Sequence, residues 1–197
     1  MRRFYGISVF VIVLLIQTAC IQVNIPDVQG KKTNHYTLNL PKNFQPPPVP
    51  VAISEFASET PAKFRMLFRK GSELEQETLS KWVQTPSVLL SCAFRDLFGC
   101  DNADSESAKW ILEGDIYTFE KNLDTNTADL KVLYRLINRK NGDVRFVKLL
   151  NTSVPVSGAS PADFANAMSK AVVEQAETIK MEITDMGNKQ NTTQEKK

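Results

Sequence analysis

Three cysteines, Cys20, Cys92 and Cys100, offer the most versatile chemistry in this 197-residue chain. A thiol can carry a lipid, and two thiols can pair as a disulfide in an oxidising compartment. Cys92 and Cys100 lie eight residues apart, which in an unbroken helix separates their Cα atoms by about 12 Å, beyond disulfide reach. They can pair only if the helix ends near Gly99 and the chain turns back. The alternative is that Cys92 is a small core residue.

The sequence before Cys20 has the three parts of a secretory signal. Arg2 and Arg3 form a basic start, residues 7–16 are apolar, and the small residues Thr18 and Ala19 precede the expected cleavage point. A transmembrane anchor is the weaker interpretation, because a span needs about 20 apolar residues. We therefore predict a signal peptide over residues 1–19.

Thr18-Ala19-Cys20 resembles the lipobox of bacterial lipoproteins, which implies cleavage before Cys20 and lipid on its thiol. Each buried CH₂ group contributes roughly 0.8 kcal/mol, so several acyl chains make a durable anchor. Ile21, rather than Asp, follows the cysteine, and by the enterobacterial sorting rule this implies the outer membrane. Residues 20–34 would then be a lipidated tether. The alternative is an ordinary signal peptide, with Cys20 a plain thiol.

No pattern in the sequence predicts catalysis, a cofactor or a metal site. His35 is the single histidine, so neither a zinc cluster nor a Ser–His pair is evident. Asp101, Asp104 and Glu106 lack the spacing of a calcium loop. Removal of residues 1–19 takes away two arginines and no acid, which leaves equal numbers of basic and acidic residues. Nothing therefore indicates a nucleic-acid partner, and we expect no enzymatic activity.

Alternating apolar residues predict a series of strands that would position any binding surface. The early segments are short, whereas the later three are long and the last two flank Asn141-Gly142, a strong hairpin signal. The long strands should form an antiparallel meander. The predicted strands cover residues 35–40, 49–53, 62–68, 72–79, 110–116, 128–136 and 144–156.

Two helices are predicted from their end signals. Thr85 followed by Pro86 begins a helix to Phe98, which Gly99 ends. Ser160 and Pro161 begin a second helix, which Gly187 is expected to end. Its apolar stripe is formed by Phe164, Met168, Ala171, Val172, Ala176, Ile179 and Ile183.

Together these segments predict an α+β fold, a mostly antiparallel sheet with two principal helices packed on one face. Residues 35–186 would form a single periplasmic domain, and residues 187–197 a disordered polar tail. Trp82, just before the first helix cap, should either pack in the core or serve as an interface anchor.

The order of several motifs resembles the ABC-type transport auxiliary lipoprotein family, to which the lipoprotein of the paraquat-inducible MCE system belongs. The motifs span roughly residues 35–185, and their order carries more weight than any one of them. They are the lipobox cysteine, His35-Tyr36-Thr37-Leu38 with Pro41, the Val-rich strand 49–53, Lys81-Trp82-Val83-Gln84-Thr85-Pro86, the small-residue turn Ser157-Gly158-Ala159 and a C-terminal helix.

The resemblance implies a non-enzymatic subunit that is anchored in the outer membrane by lipid on Cys20 and faces the periplasm. It also implies a homo-oligomeric ring and an MCE-domain protein as partner, in a system that moves lipids or other hydrophobic molecules. Two other functions stay open from sequence. One is a lipoprotein that regulates a cell-wall synthase or other periplasmic enzyme, and the other is a lipid-anchored hydrolase.

Overall fold

The computed structural model describes residues 32–61, 63–100 and 107–194, with side chains to Gly187. The predicted signal peptide, Cys20 and most of the tether lie outside the described residues, as do Asp101, Asp104 and Glu106. The described residues form eight strands and two helices in the order β1–β5, α1, β6–β8, α2. Their bounds are β1 Asn34–Tyr36, β2 Val51–Ile53, β3 Ala57–Ser58, β4 Arg65–Lys70, β5 Glu73–Trp82, α1 Pro86–Phe98, β6 Trp110–Asn122, β7 Thr127–Asn138, β8 Val144–Pro155 and α2 Pro161–Gln194.

All eight strands belong to one sheet with the order β1-β5-β4-β6-β7-β8, in which β2 and β3 also pair with β6. The long strands β6, β7 and β8 form an antiparallel meander, as the sequence predicts. β2, β3 and β4 run parallel to β6, and β1 runs parallel to β5. The α+β prediction with a mostly antiparallel sheet is therefore confirmed.

Both helices pack on the same face of this sheet. Tyr134 of β7 contacts the ring of Phe94 from α1 and hydrogen-bonds Gln175 from α2. The apolar stripe predicted for α2 is fully buried. The core thus lies between the sheet and the two helices. Among the described residues, no helix covers the opposite face of β6–β8, which we call the open face.

Capping signals place α1 as predicted. Thr85 caps the helix, Pro86 begins it, and Gly99 ends it in the left-handed conformation with φ 65°. The sequence predicts an apolar stripe of Val88, Leu89, Cys92, Ala93 and Leu97 along this helix. Leu89, Ala93 and Leu97 are buried, whereas Val88 and Cys92 are only half-buried, and Leu90, Phe94 and Phe98 complete the buried face.

Several predicted strand bounds were wrong. The first strand ends at Tyr36 rather than residue 40, because the chain turns away and the Asn39 amide donates to Ser169 Oγ at 2.9 Å. Leu38 and Leu40 still pack against the core. β4 begins at Arg65, and β5 extends to Trp82, since β1 supplies it with a partner strand over residues 80–82.

The predicted end of α2 at Gly187 was also wrong. The helix continues to Gln194, where the sequence predicts a disordered tail from residue 187. A glycine costs only about 1 kcal/mol in a helix, which neighbouring contacts can outweigh. Ile183 and Met186 are buried on the core side, and a Cβ at position 187 would lie 3.2 Å from Val49.

Candidate docking surface

Within the described ranges, no three His, Cys, Asp or Glu side chains come together as metal ligands. His35 lies in the short strand β1 at the edge of the sheet. None of the described helices is long and apolar enough to cross a membrane. The features that stand out are surfaces.

Strand β8 presents the most exposed apolar surface of the sheet. It pairs with β7 on one side and is the last strand in the sheet order, so its other backbone edge has no partner strand among the described residues. Val144, Val147 and Leu149 are 53%, 57% and 52% exposed, respectively. We call these three side chains the β8 patch. Long apolar edges promote association, and proteins usually cover them or blunt them with charge.

Residues of β7 extend the β8 patch across the open face of the sheet. Leu149 pairs directly with Leu133, and Val144 pairs with Ile137. Leu133 and Ile137 are half-buried. Since directly paired residues in antiparallel strands lie on one face, these five side chains form an apolar strip on that face, which Arg135 interrupts between Leu133 and Ile137.

Arg135 of β7 lies within the strip and is held in place by two carboxylates of β6. Arg135, which pairs with Val147, donates to Asp115 at 2.7 Å and to Glu113 at 3.5 Å. These hydrogen bonds raise the pKa of Arg135. The guanidinium therefore stays charged and offsets part of the negative charge of the two carboxylates within an otherwise apolar strip.

Helix α1 offers no comparable surface. The sequence makes the region of residues 86–98 a second candidate for docking, yet eight of its 13 residues are buried. Its described neighbours include β2, β3, β6, β7 and α2. The helix therefore serves mainly to close the core.

Cys92 and Cys100 are not joined by a disulfide. Cys92 lies within the unbroken helix α1, and Cys100 follows the turn at Gly99. The Cys100 thiol donates to the carbonyl oxygen of Val51 at 2.7 Å, which directs it toward β2 instead of α1. The Cys100 thiol thus contacts β2 in this structure, and the pairing of Cys92 with Cys100 stays an open prediction from the sequence.

Trp82 lies in the core, 1% exposed. Its ring contacts Phe119 of β6 and Phe164 of α2 edge to face, with centroid distances of 5.2 and 5.6 Å. Of the two predicted roles, core anchor is therefore the one the structure shows. Its buried indole N–H has no hydrogen-bond partner among the described residues.

Sequence reasoning did not single out the β8 patch. The sequence predicts β8 only as the partner strand of the hairpin. In the structure its apolar residues occupy both faces, with Phe146 and Leu150 toward the core and Val147 and Leu149 toward solvent. Apolar residues on both faces of a sheet-edge strand are the signal that could have identified it.

Comparison with known proteins supports the fold. No family model matches the chain, and no curated protein sequence matches it. A crystal structure of protein XCC0632 from Xanthomonas campestris, assigned to the family DUF330, superposes with a TM-score of 0.65 at 16% identity over 80% of this chain and 99% of that one. An uncharacterized protein superposes with a TM-score of 0.63 at 10% identity over 77% and 99% of the two chains. At these identities the likeness establishes the α+β fold and nothing beyond it.

Proposed function

We propose that this chain is a non-enzymatic lipoprotein of the bacterial envelope, an accessory subunit of an MCE-type ABC transport system. Lipid on Cys20 anchors it in the outer membrane, and the folded domain faces the periplasm. The domain docks on an MCE-domain protein and assembles with further copies of itself. The system moves lipids or other hydrophobic molecules between the membranes.

The β8 patch is the observation that carries the docking role. Three apolar side chains more than half exposed, on a strand with an open backbone edge, cost solubility and invite association. Such a surface is retained where a partner covers it. The partner's identity rests on the resemblance of the motifs between residues 35 and 185 to the transport auxiliary lipoproteins.

The absence of an assembled catalytic group among residues 32–61, 63–100 and 107–187 is compatible with an accessory role. The 830 Å³ groove between the segment after β1 and helix α2 is lined by Asn39, Ser169 and Glu174 among others. No histidine or cysteine lines it, and Ser169 donates its hydroxyl proton to the Ala165 carbonyl at 2.7 Å. That serine is thus engaged as a structural group.

Affinity purification tests the proposal. Tagged full-length protein from detergent-solubilised membranes should recover an MCE-domain protein, and a Val147→Lys/Leu149→Lys variant should recover at most about a tenth as much. Two buried charges at a protein interface cost well over 1.4 kcal/mol, the equivalent of tenfold. Partners are identified by mass spectrometry.

Met181→Lys is the matched control, since Met181 is 58% exposed but lies on helix α2. It should recover the partner as the unmodified protein does. Recovery of a cell-wall synthase in place of an MCE-domain protein would support the regulatory alternative and contradict the transport role.

A further inference from the structure

A basic groove lies where the described chain enters the sheet. It has a volume of about 650 Å³ and is lined by residues from the ends of three neighbouring strands, β1, β5 and β4, and from the chain just before and after them. Its cationic side chains are those of Lys63, Arg65 and Lys81, with His35 beside them. No Asp or Glu within the described ranges lines it.

The strand register forces these groups together. Arg65 of β4 pairs directly with Lys81 of β5, and Lys81 pairs in turn with His35 of β1. Opposed residues have Cβ atoms only about 5 Å apart, and like charges placed there destabilise a sheet. Arg65 and Lys81 therefore repel each other across the strands, and nothing in the packing of the fold requires cations at these two positions.

No carboxylate among the described residues offsets this repulsion. Arg69, Arg135, Lys148 and Lys180 each form an ion pair with a glutamate or aspartate, but the cations of the basic groove form none. The mature chain has equal numbers of basic and acidic residues, so the groove is a local concentration of charge and not a consequence of overall basicity.

Apolar side chains accompany the cations. Phe64 and Val83, which also line the groove, are each 47% exposed. Phe64 and Val83 are held close to each other by the backbone, since the amide of Trp82, the residue before Val83, donates to the Phe64 carbonyl at 2.7 Å. Cations interleaved with exposed apolar residues match the interface of a bilayer, where phosphates lie just outside the acyl region.

The position of the groove along the chain also favours a contact with the membrane. His35 follows Cys20 by only fifteen residues in the sequence, and β1, which contains His35, is the first described strand after the proposed lipid anchor. The groove is thus part of the domain that the tether reaches first.

We propose that the basic groove binds anionic phospholipid headgroups on the surface of the membrane that holds the Cys20 lipid. A single anchor leaves the domain free to rotate about its tether. A second contact through Lys63, Arg65 and Lys81 fixes which side of the domain faces the bilayer. The β8 patch, at the opposite edge of the sheet order from β1, stays available to a protein partner. This inference rests on the proposed anchoring.

Vesicle co-sedimentation tests the groove without the lipid anchor. The mature chain from residue 20, carrying Cys20→Ser, should bind vesicles that contain phosphatidylglycerol and not vesicles of phosphatidylcholine alone. Replacing Lys63, Arg65 and Lys81 together with Gln should weaken binding roughly hundredfold, as expected for three cations at an anionic surface. Binding of the Cys20→Ser chain that keeps all three cations should fall steeply between 0.1 and 0.5 M salt.

The control triple variant is Lys42→Gln/Lys70→Gln/Lys170→Gln, which removes the same charge from exposed sites elsewhere. It should retain binding within about threefold. The groove variant should also unfold at an equal or higher denaturant concentration than the parent chain, because it loses the Arg65–Lys81 repulsion. This result excludes loss of binding through misfolding.

Three outcomes would overturn the inference: no binding to the anionic vesicles, equal binding to both vesicle types, or equal loss in the two triple variants. Because Cys20 is absent from the assay, these outcomes are independent of lipidation. Failure of Cys20 to acquire lipid in cells would defeat the proposed anchor and leave the vesicle measurement intact.

Discussion

At the scale of single residues, one buried polar network joins helix α2 to the sheet. The Tyr134 hydroxyl donates to Gln175 Oε1 at 2.8 Å, and Gln175 Nε2 donates to the Leu130 carbonyl at 2.9 Å and to Thr152 Oγ1 at 3.2 Å. Both side chains are almost completely buried, and this burial raises the pKa of Tyr134 well above its usual value. The network fixes the helix along β7 and β8, because a shift of α2 would leave buried groups unpaired.

Gln175→Leu should therefore lower the free energy of unfolding by about 1–3 kcal/mol, since it strands the Tyr134 hydroxyl. Tyr134→Phe should cost a similar amount by stranding the Gln175 carbonyl oxygen. The double variant should lose less than the sum of the two, and chemical denaturation of all four proteins measures the difference. Additive losses would show that the two side chains are not coupled.

The environment of individual side chains could be predicted only in part from the sequence. The sequence showed that Cys92 and Cys100 lie too far apart along a helix, but it could not show that Cys100 turns toward Val51. Whether Trp82 faces the core depends on strand β5 extending to that residue, which β1 stabilises from more than 40 residues upstream. Contacts of this range leave no local signal.

At the scale of elements, the start of α2 is a capping box with aspartate in the third helical position. Asp163 accepts hydrogen bonds from the Ser160 hydroxyl at 2.6 Å and the Ser160 amide at 3.1 Å, and its own amide donates to Ser160 Oγ at 3.1 Å. Gly158 leaves room for the carboxylate, because a Cβ there would collide with it. These hydrogen bonds lower the pKa of Asp163.

The sign of this pKa shift predicts a pH dependence. A carboxylate with a lowered native pKa stabilises the fold above its unfolded pKa, near 3.8, and the contribution is lost as pH falls through the lower native value. Asp163→Asn should therefore be less stable than the parent chain at pH 6, with the difference shrinking below pH 3.8. Urea denaturation at a series of pH values measures it. A difference that stays constant with pH would contradict the ionised cap.

Elements with local signals were predicted best. Thr85, Pro86 and Gly99 define α1, and Asn141-Gly142 lies in the hairpin between β7 and β8, where Gly142 has φ 74°. The parallel pairs of β2 and β3 with β6 join segments more than 50 residues apart, so they could not be predicted. Helix α2 passes Gly187 because buried contacts outweigh the weak helix propensity of glycine.

At the scale of the whole molecule, three regions have separate proposed roles. In the proposed arrangement, Cys20 would supply the anchor, the basic groove would orient the domain on the bilayer, and the β8 patch would meet a protein partner. The sheet order separates the last two, since β1 and β8 are its opposite ends. An accessory subunit that must contact a membrane and a partner at once needs such a separation.

Lipidation should decide where the protein resides. Cells grown with a radiolabelled fatty acid should incorporate label into the full-length chain and not into Cys20→Ala. The unlabelled variant should shift from the membrane fraction to the soluble periplasmic fraction, because one missing anchor removes most of the apolar contact with the bilayer. Equal labelling of the two proteins would contradict the assignment of Cys20.

Site-specific photo-crosslinking in intact cells tests the central claim most directly. A photoreactive phenylalanine analogue at Val147, in the β8 patch, is compared with the same analogue at Met181 on helix α2, both being more than half exposed. The account predicts crosslinks from position 147 to an MCE-domain protein or to a second copy of this chain, and neither from position 181. Crosslinks from position 147 to a cell-wall synthase alone, or from both positions equally, would contradict it.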